Sequence, residues 1–575
     1  MRHPLLIAVA APLVLYLAGC AGGPLAAGGA ERDVDWATAP LGASGYGLFL
    51  AGQAALNDGR SDEAAAYFEQ AAATGDLDAG VVSERAFIAA VLAGDISKAA
   101  ALAPEGEEAS EGGRRLGQLA VAVEDMAHGR GKEASQILAG DAIGFPHRSA
   151  AALLQPWASA MAGDVEGSLV RPEVRGDRLV EYIGQLGQAH LFERARRYDE
   201  AETDFKALAQ TDRPSEMAVL AYGGFLERRG RRADAIALYD AALAREPHRA
   251  SYTAARARAA AGRSAPQAPS LKEGAAQAML APAAAMLSAK QNQLGLAYLR
   301  LALHLDPRRA EAWVMVGDVM AAAGEFEQAR AAYEKVKPGA AEYATARAKL
   351  AWAYQAADDP ETAIRIAREA AASGDTDARL NLADLLRANE RFAESAEILT
   401  DLIAQQSEPD WRLLYARGVA FERTGRWAEA EKDLQAALDL RPDEPELLNY
   451  LGYSWIDRGE RLKEALGMVE KAVASNPRNG AMIDSLGWAH YRLGDYAKAV
   501  ELLEEAVELE AGDPEINNHL GDAYWRVGRR DEAEFQWRRV LTLDPDARIK
   551  ADAEAKLASG LGLKGPAEAP RVAGP

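Results

Sequence analysis

"NNHLGDAYWRVG" (Asn517–Gly528) decides the reading of this chain. The phrase recurs, reworded, 34 residues earlier as "IDSLGWAHYRLG" (Ile483–Gly494), and 35 before that as "LNYLGYSWIDRG" (Leu448–Gly459). Each version has Leu-Gly early, an aromatic residue three or four places after that glycine, and a closing glycine. The closing glycines belong to longer series. Gly425, Gly459, Gly494 and Gly528 are spaced by 34, 35 and 34, and Gly59, Gly94, Gly129 and Gly163 by 35, 35 and 34. A fixed period of this size marks a chain built by repeating one supersecondary unit.

The residue types suit a helix pair. Leu520, Gly521 and Tyr524 fall on one helix face, because spacings of three and four share a face. Gly521 leaves room for close approach of a second helix. Gly528 can end the first helix in the left-handed conformation. Ala533 is the small contact on the second helix, Trp537 and Val540 fill the seam, and Pro545 ends the unit. The order repeats with Gly418 and Ala430, and with Gly487 and Ala499. It repeats again with Gly452 and Ala465, where one residue is inserted.

In these residues the chain resembles the tetratricopeptide (TPR) repeat family over roughly residues 45–545. Fourteen units can be phased. The resemblance implies an all-α fold, a right-handed α-solenoid whose concave wall is made by the first helix of each unit. Stacking is obligatory, since one helix pair cannot bury its own apolar face. The Pro-rich "GRSAPQAPS" (Gly262–Ser270) interrupts the phase. The expected organisation is therefore an N-terminal solenoid over 45–261, an irregular break at 262–275 and a C-terminal solenoid over 276–545. A polar capping helix at 546–561 and a disordered tail at 562–575 follow.

The opening "MRHPLLIAVAAPLVLYLAGC" has one early positive charge and an apolar stretch shorter than the about 20 residues a membrane span needs. It reads as a signal peptide over 1–19. Leu17-Ala18-Gly19-Cys20 resembles the bacterial lipobox, which implies lipidation of Cys20. Ala21 after the cysteine implies sorting to the outer membrane. Residues 20–44 then form a Gly/Ala-rich tether spanning roughly 27 Å. Cys20 is the only cysteine, so no disulfide forms within the chain.

A net charge of −21 argues against nucleic acid as a partner and against binding to an anionic membrane surface; membrane contact is expected through the lipid alone. No His-Glu-x-x-His, Walker loop or Gly-x-Ser-x-Gly occurs. The expectation is a non-enzyme with no catalytic residues, no metal and no cofactor.

What the repeat does not require is more informative. Positions 2, 5, 9, 12 and 13 of a first helix point away from the stack, and by the family resemblance they face the groove. Over the last four units they include Tyr415, Arg423, Asn449, Tyr453, Asp484, Trp488, Tyr491, Arg492, Asn518, Asp522, Trp525 and Arg526. Aromatic rings flanked by Arg and Asn suit peptide or protein recognition.

"DWRLLYARGVAFERTGRWAEAE" (Asp410–Glu431) and "NYLGYSWIDRG" resemble, beyond the generic repeat, proteobacterial outer-membrane TPR lipoproteins. Some of these are periplasmic adaptors that hold a carboxyl-terminal processing protease and present substrates such as cell-wall hydrolases. The resemblance implies a lipid-anchored protein–protein interaction scaffold on the periplasmic face of the outer membrane. The alternative is a structural scaffold of an envelope machine for polysaccharide export, pilus assembly or outer-membrane biogenesis.

Overall fold

The glycines of the repeated phrase sit where two helices meet. In the computed structural model a Cβ on Gly521 would lie 2.5 Å from the Trp537 indole nitrogen. The same offset of sixteen residues sets Gly52 against Phe68, Gly223 against Tyr239, Gly317 against Tyr333, Gly418 against Leu434 and Gly487 against Leu503. In the unit with the inserted residue the offset grows to seventeen, Gly452 against Val469. The glycine's missing side chain is thus filled each time by a large apolar group from the second helix, and that interlock defines the repeat.

The structure describes residues 44–562 except loop positions 107–108, 141–142, 175, 212, 247–248, 373, 407 and 409. The expected signal peptide, Cys20, the expected tether up to Ala43 and the tail from Leu563 lie outside the described residues. The described residues form thirty helices, α1 to α30 in chain order, with no strand among them. Twenty-eight pair as fourteen helix–turn–helix units, which is the α-solenoid the phrase implies. Helix α13 (Ala250–Ala260) has no second helix, because residues 263–270 follow it without helix. Helix α30 (Ala547–Ser559) closes the last unit.

Turns within units use one device. Gly459, Gly494 and Gly528 take φ of 72°, 88° and 86°, a region glycine enters without a Cβ clash. Where the sequence lacks the glycine, another residue takes the same conformation. Arg196, Lys290, Asp358 and Glu390 all have φ between 57° and 63°. The inserted residue near Arg461 is absorbed in the same way, with φ of 44° at Arg461 itself.

Two compact units meet between Ala378 and Arg379. The Pro-rich stretch, expected to separate two solenoids, lies inside the first of them. The helix after it, α14 (Leu271–Ser288), starts within the range assigned to the break. Its N-cap Ser270 forms a capping box with Glu273, which fixes the start.

In the N-terminal unit α14 and α15 (Asn292–Leu305) do more than continue the stack. They also pack against the first helices of earlier repeats, α3 (Ala79–Ala93), α5 (Glu111–Ala127), α7 (Arg148–Met161) and α9 (Arg178–Arg194). Lys272 Nζ donates to Ala127 O at 2.6 Å, Arg300 Nε donates to Leu92 O at 2.9 Å, and His147 Nδ1 lies 2.8 Å from the Tyr298 hydroxyl. Gly274 rests against the Trp157 ring with no room for a side chain. Ala275, Ala276, Met279, Leu299, Leu301 and Ala302 are fully buried. A helix apolar on nearly all sides is one surrounded by protein, and this hairpin is so surrounded because it covers the faces of α3 to α9.

The C-terminal unit is regular. Its first helices are α22 (Trp411–Arg423), α24 (Pro445–Arg458), α26 (Gly480–Leu493) and α28 (Pro514–Arg526). Their second helices are α23 (Trp427–Leu440), α25 (Leu462–Ser475), α27 (Tyr496–Leu509) and α29 (Arg530–Val540). Each helix packs on the next. Ala430, Ala465, Ala499 and Ala533 are fully buried at the seams.

Candidate functional site

The side chains that sequence position sends away from the stack come together along α22, α24, α26 and α28. They are largely engaged with one another. Trp488 lies between Tyr491, at 4.4 Å and 8° between planes, and His519, at 4.0 Å and 12°. His519 Nδ1 donates to Asp484 Oδ1 at 2.9 Å. Tyr453 reaches past α26 and donates its hydroxyl hydrogen to Glu515 Oε1 on α28 at 3.0 Å. Arg492 donates to Asp457 O at 2.7 Å, and Arg526 Nε to the Tyr491 hydroxyl at 3.2 Å. Tyr415 meets Tyr450 edge-on at 5.6 Å.

The expectation of an open groove carrying all twelve side chains is corrected on burial. Trp488 keeps 8% of its surface and Tyr491 3%, and both belong to the main apolar core of the unit; Asp484, Asn518 and Asp522 are buried as well. The reason is twofold. Consecutive first helices approach closely enough for these groups to pair. In addition, α30 and the residues after it cover the last repeat. Lys556 Nζ of α30 donates to Asn518 Oδ1 at 3.1 Å and Asp522 Oδ2 at 2.9 Å, and Asn518 Nδ2 donates to Asp552 at 2.8 Å. Trp537 Nε1 donates to the other Asp522 oxygen at 3.1 Å. Trp525 Nε1 donates to Leu561 O at 3.2 Å and Arg526 Nη1 to Gly562 O at 3.0 Å.

What remains accessible is a smaller set. Arg423 is exposed, its guanidinium 5.2 Å from the centre of the Phe392 ring. Tyr415, Asn449, Tyr453, Arg492, Trp525 and Arg526 are half-buried. Asn449 Oδ1 and Trp488 Nε1 are shielded from solvent and have no hydrogen-bond partner, which is costly for a buried polar atom.

The electrostatics follow from burial. Burial lowers the His519 imidazolium, but the charge and hydrogen bond of Asp484 outweigh it, and His519 is raised to about 9. The imidazolium form of His519 is thus favoured at neutral pH, while burial raises the Asp484 carboxyl against the pull of that charge. Burial raises Tyr415 to about 12 and pushes Tyr453 and Tyr491 up as well, so these rings are neutral hydroxyl donors and acceptors. His519 was missed in the sequence because it stands at position 6, one place from a groove position; its only signal was a polar residue beside the Leu-Gly pair.

Among the described residues no group of His, Cys, Asp and Glu is arranged to hold a metal ion. No described helix is long and apolar enough to cross a membrane.

Comparison with known proteins agrees with the geometry. Profiles described as tetratricopeptide repeat match residues 46–73, 186–250, 348–514 in overlapping copies, and 490–557, together more than half of the chain. The TPR repeat-containing protein PA4667 of Pseudomonas aeruginosa is 35% identical over 140 residues, which are 24% of this chain and 23% of that one. The chain thus spans under a quarter of that relative's length in the match. Among solved structures, the APC/C hetero-tetramer Cut9–Hcn1 aligns over 90% of this chain and 96% of its own, at 15% identity and a TM-score of 0.38. A tetratricopeptide repeat protein from Parabacteroides merdae aligns over 43% and 98%, at 12% identity and a TM-score of 0.38. The interlocked glycines, the fourteen helix pairs and the profile matches place this chain in the tetratricopeptide repeat family.

Proposed function

We propose that this chain is a non-catalytic adaptor, anchored by lipid on Cys20 to the periplasmic face of the outer membrane. Its C-terminal wall docks a carboxyl-terminal processing protease and brings it to envelope substrates such as cell-wall hydrolases. The tetratricopeptide fold is a protein-interaction scaffold, generally without chemistry of its own. One contrast carries the placement of the docking site. In the N-terminal unit the faces of α3, α5, α7 and α9 are covered by the chain's own α14–α15 hairpin. Among the described residues, the C-terminal unit carries no such hairpin over α22, α24 and α26. Arg423, Asn449, Tyr453 and Arg492 lie on that face with part of their surface open. A lipid anchor raises the effective concentration of whatever the wall holds near the membrane.

The test is reconstitution of the lipidated protein with the organism's own processing protease and a candidate cell-wall hydrolase. Hydrolase degradation should accelerate at least tenfold with the adaptor. Arg423→Ala with Asn449→Ala should remove most of that gain without changing the melt. A protease that neither binds nor changes rate would leave the structural scaffold of an envelope machine as the reading.

A further inference from the structure

In a chain of net charge −21, arginines gather at the ends of α9 and α11 (Glu216–Arg228). "FERARRYDE" (Phe192–Glu200) and "LERRGRRADA" (Leu226–Ala235) hold seven of them. Beside them, within the N-terminal unit, lies a cleft of about 250 Å³ roofed by the Pro-rich stretch at Ala268 and Pro269. Its other walls include Trp157, Tyr198, Arg194, Arg228 and Arg229.

The arginines are not equivalent. Arg228 is committed: its Nε and Nη2 each lie 2.7 Å from an oxygen of Glu193, and its Nη1 donates to Pro266 O at 2.8 Å. It neutralises the only carboxylate of the cleft and ties down the Pro-rich roof. Arg197 is bound to Glu200, and Arg231 to Glu202 and Asp234. Arg194 and Arg229, both exposed, have no salt bridge among the described residues. Arg229 is nevertheless held in place, its guanidinium 3.6 Å from the centre of the Tyr198 ring. A positioned, unpaired guanidinium has paid part of its ordering entropy before any ligand arrives. At the inner end, the His190 side chain is nine-tenths buried and its Nδ1 has no hydrogen bond, the nearest carboxylate oxygen being Glu193 Oε2 at 3.9 Å. Burial lowers this imidazole, so it adds polarity rather than charge.

Size and lining select the ligand. The cleft is smaller than the about 300–1,000 Å³ of sites that take cofactors or drug-sized molecules. It fits one or two side chains. Free phosphate would leave the Trp157 and Pro269 walls unused, and an anionic bilayer would be repelled by the acidic remainder of the chain. We propose that this cleft is a second binding site, which takes an acidic peptide segment of a partner protein. A carboxylate sits between Arg194 and Arg229 and an adjacent apolar side chain rests on Pro269, above the buried Trp157 ring. The site does not depend on the C-terminal wall or on the partner proposed for it.

The full-length protein in detergent is titrated by fluorescence anisotropy with a labelled twelve-residue peptide alternating Glu and Phe, and with its Gln counterpart. The Glu peptide should bind at least tenfold tighter, and more weakly as salt rises. Arg194→Ala with Arg229→Ala should weaken it at least tenfold with the melt unchanged. Arg148→Ala with Arg178→Ala, exposed residues outside the cluster that carry the same charge, should not. Equal binding of the two peptides, or undiminished binding by the Arg194/Arg229 variant, overturns the proposal. So does binding of inorganic phosphate or of phosphatidylglycerol vesicles through these two arginines with no binding of the Glu peptide.

Discussion

His519 Nδ1 and Asp484 Oδ1, on consecutive first helices, lie 2.9 Å apart with both side chains buried, and Trp488 stacks on the imidazole at 4.0 Å. Because His519 titrates at about 9 when folded against about 6.5 when unfolded, folding binds its proton more tightly. The stability from this pair is complete below about pH 6.5 and is lost as pH rises through about 9. The loss is on the order of 3 kcal/mol for a shift of this size. Thermal unfolding of the full chain between pH 6.5 and 10 should show the decline, and His519→Gln should flatten it. A parent melt that stays level to pH 10 contradicts the assignment.

Trp488→Ala should behave as a core truncation. Removal of a buried large ring costs about 3–5 kcal/mol, so the melt should fall markedly. Arg423→Ala, on the same wall but exposed, should leave it within about 0.5 kcal/mol. Denaturant melts of the two variants side by side check the boundary between packed wall and accessible wall.

Gly487→Leu should destabilise by overpacking. A Cβ there already meets Leu503 Cγ at 2.8 Å, with the Leu502 side chain at 3.3 Å. Strain of this kind costs about 1–3 kcal/mol, read as a lower denaturant midpoint at unchanged slope.

Lys290→Gly and Glu390→Gly should each stabilise. Both residues hold the left-handed turn conformation with a Cβ, at φ of 59° and 57°. Relief of that clash outweighs the extra chain entropy of glycine by on the order of 0.5 kcal/mol. A fall in melting temperature would show that these side chains contribute more than their backbone costs.

Cys20→Ser should abolish incorporation of a fatty-acid analogue in metabolic labelling and leave the precursor unprocessed. Equal labelling of variant and parent would remove the anchor from the proposed function.

The sequence was most legible where the repeat constrains it most. Gly418, Gly452, Gly487 and Gly521 announced the helix interlock because only glycine fits opposite a Leu, Val or Trp. The units around Tyr182, Ala276, Ala344 and Thr376 lack the closing glycine of the phrase. Arg196, Lys290, Asp358 and Glu390 replace the turn glycine there, and the backbone makes the same turn without the signature. Position on the helix wheel assigns Tyr453, Trp488 and Trp525 to one wall. It could not tell which of them neighbours would cover, since that depends on His519, Lys556 and Leu561, residues outside the pattern. The hairpin's destination was beyond reach for a different reason. Its all-round apolar surface signals burial, but periodicity names no partner 200 residues away.

That hairpin orders events in time. The contacts that Lys272 and Arg300 make join residues 145 and 208 apart in the chain. A chain that emerges N-terminus first must deliver another 208 residues after Leu92 before Arg300 arrives. During that interval the faces of α3, α5, α7 and α9 have no cover, and the nascent chain must be shielded from aggregation. The C-terminal repeats meet their neighbours within seconds of emerging and can zip up one after another. Limited proteolysis of chains truncated at successive C-terminal positions should therefore find residues 79–194 protected only in those that extend past Leu305.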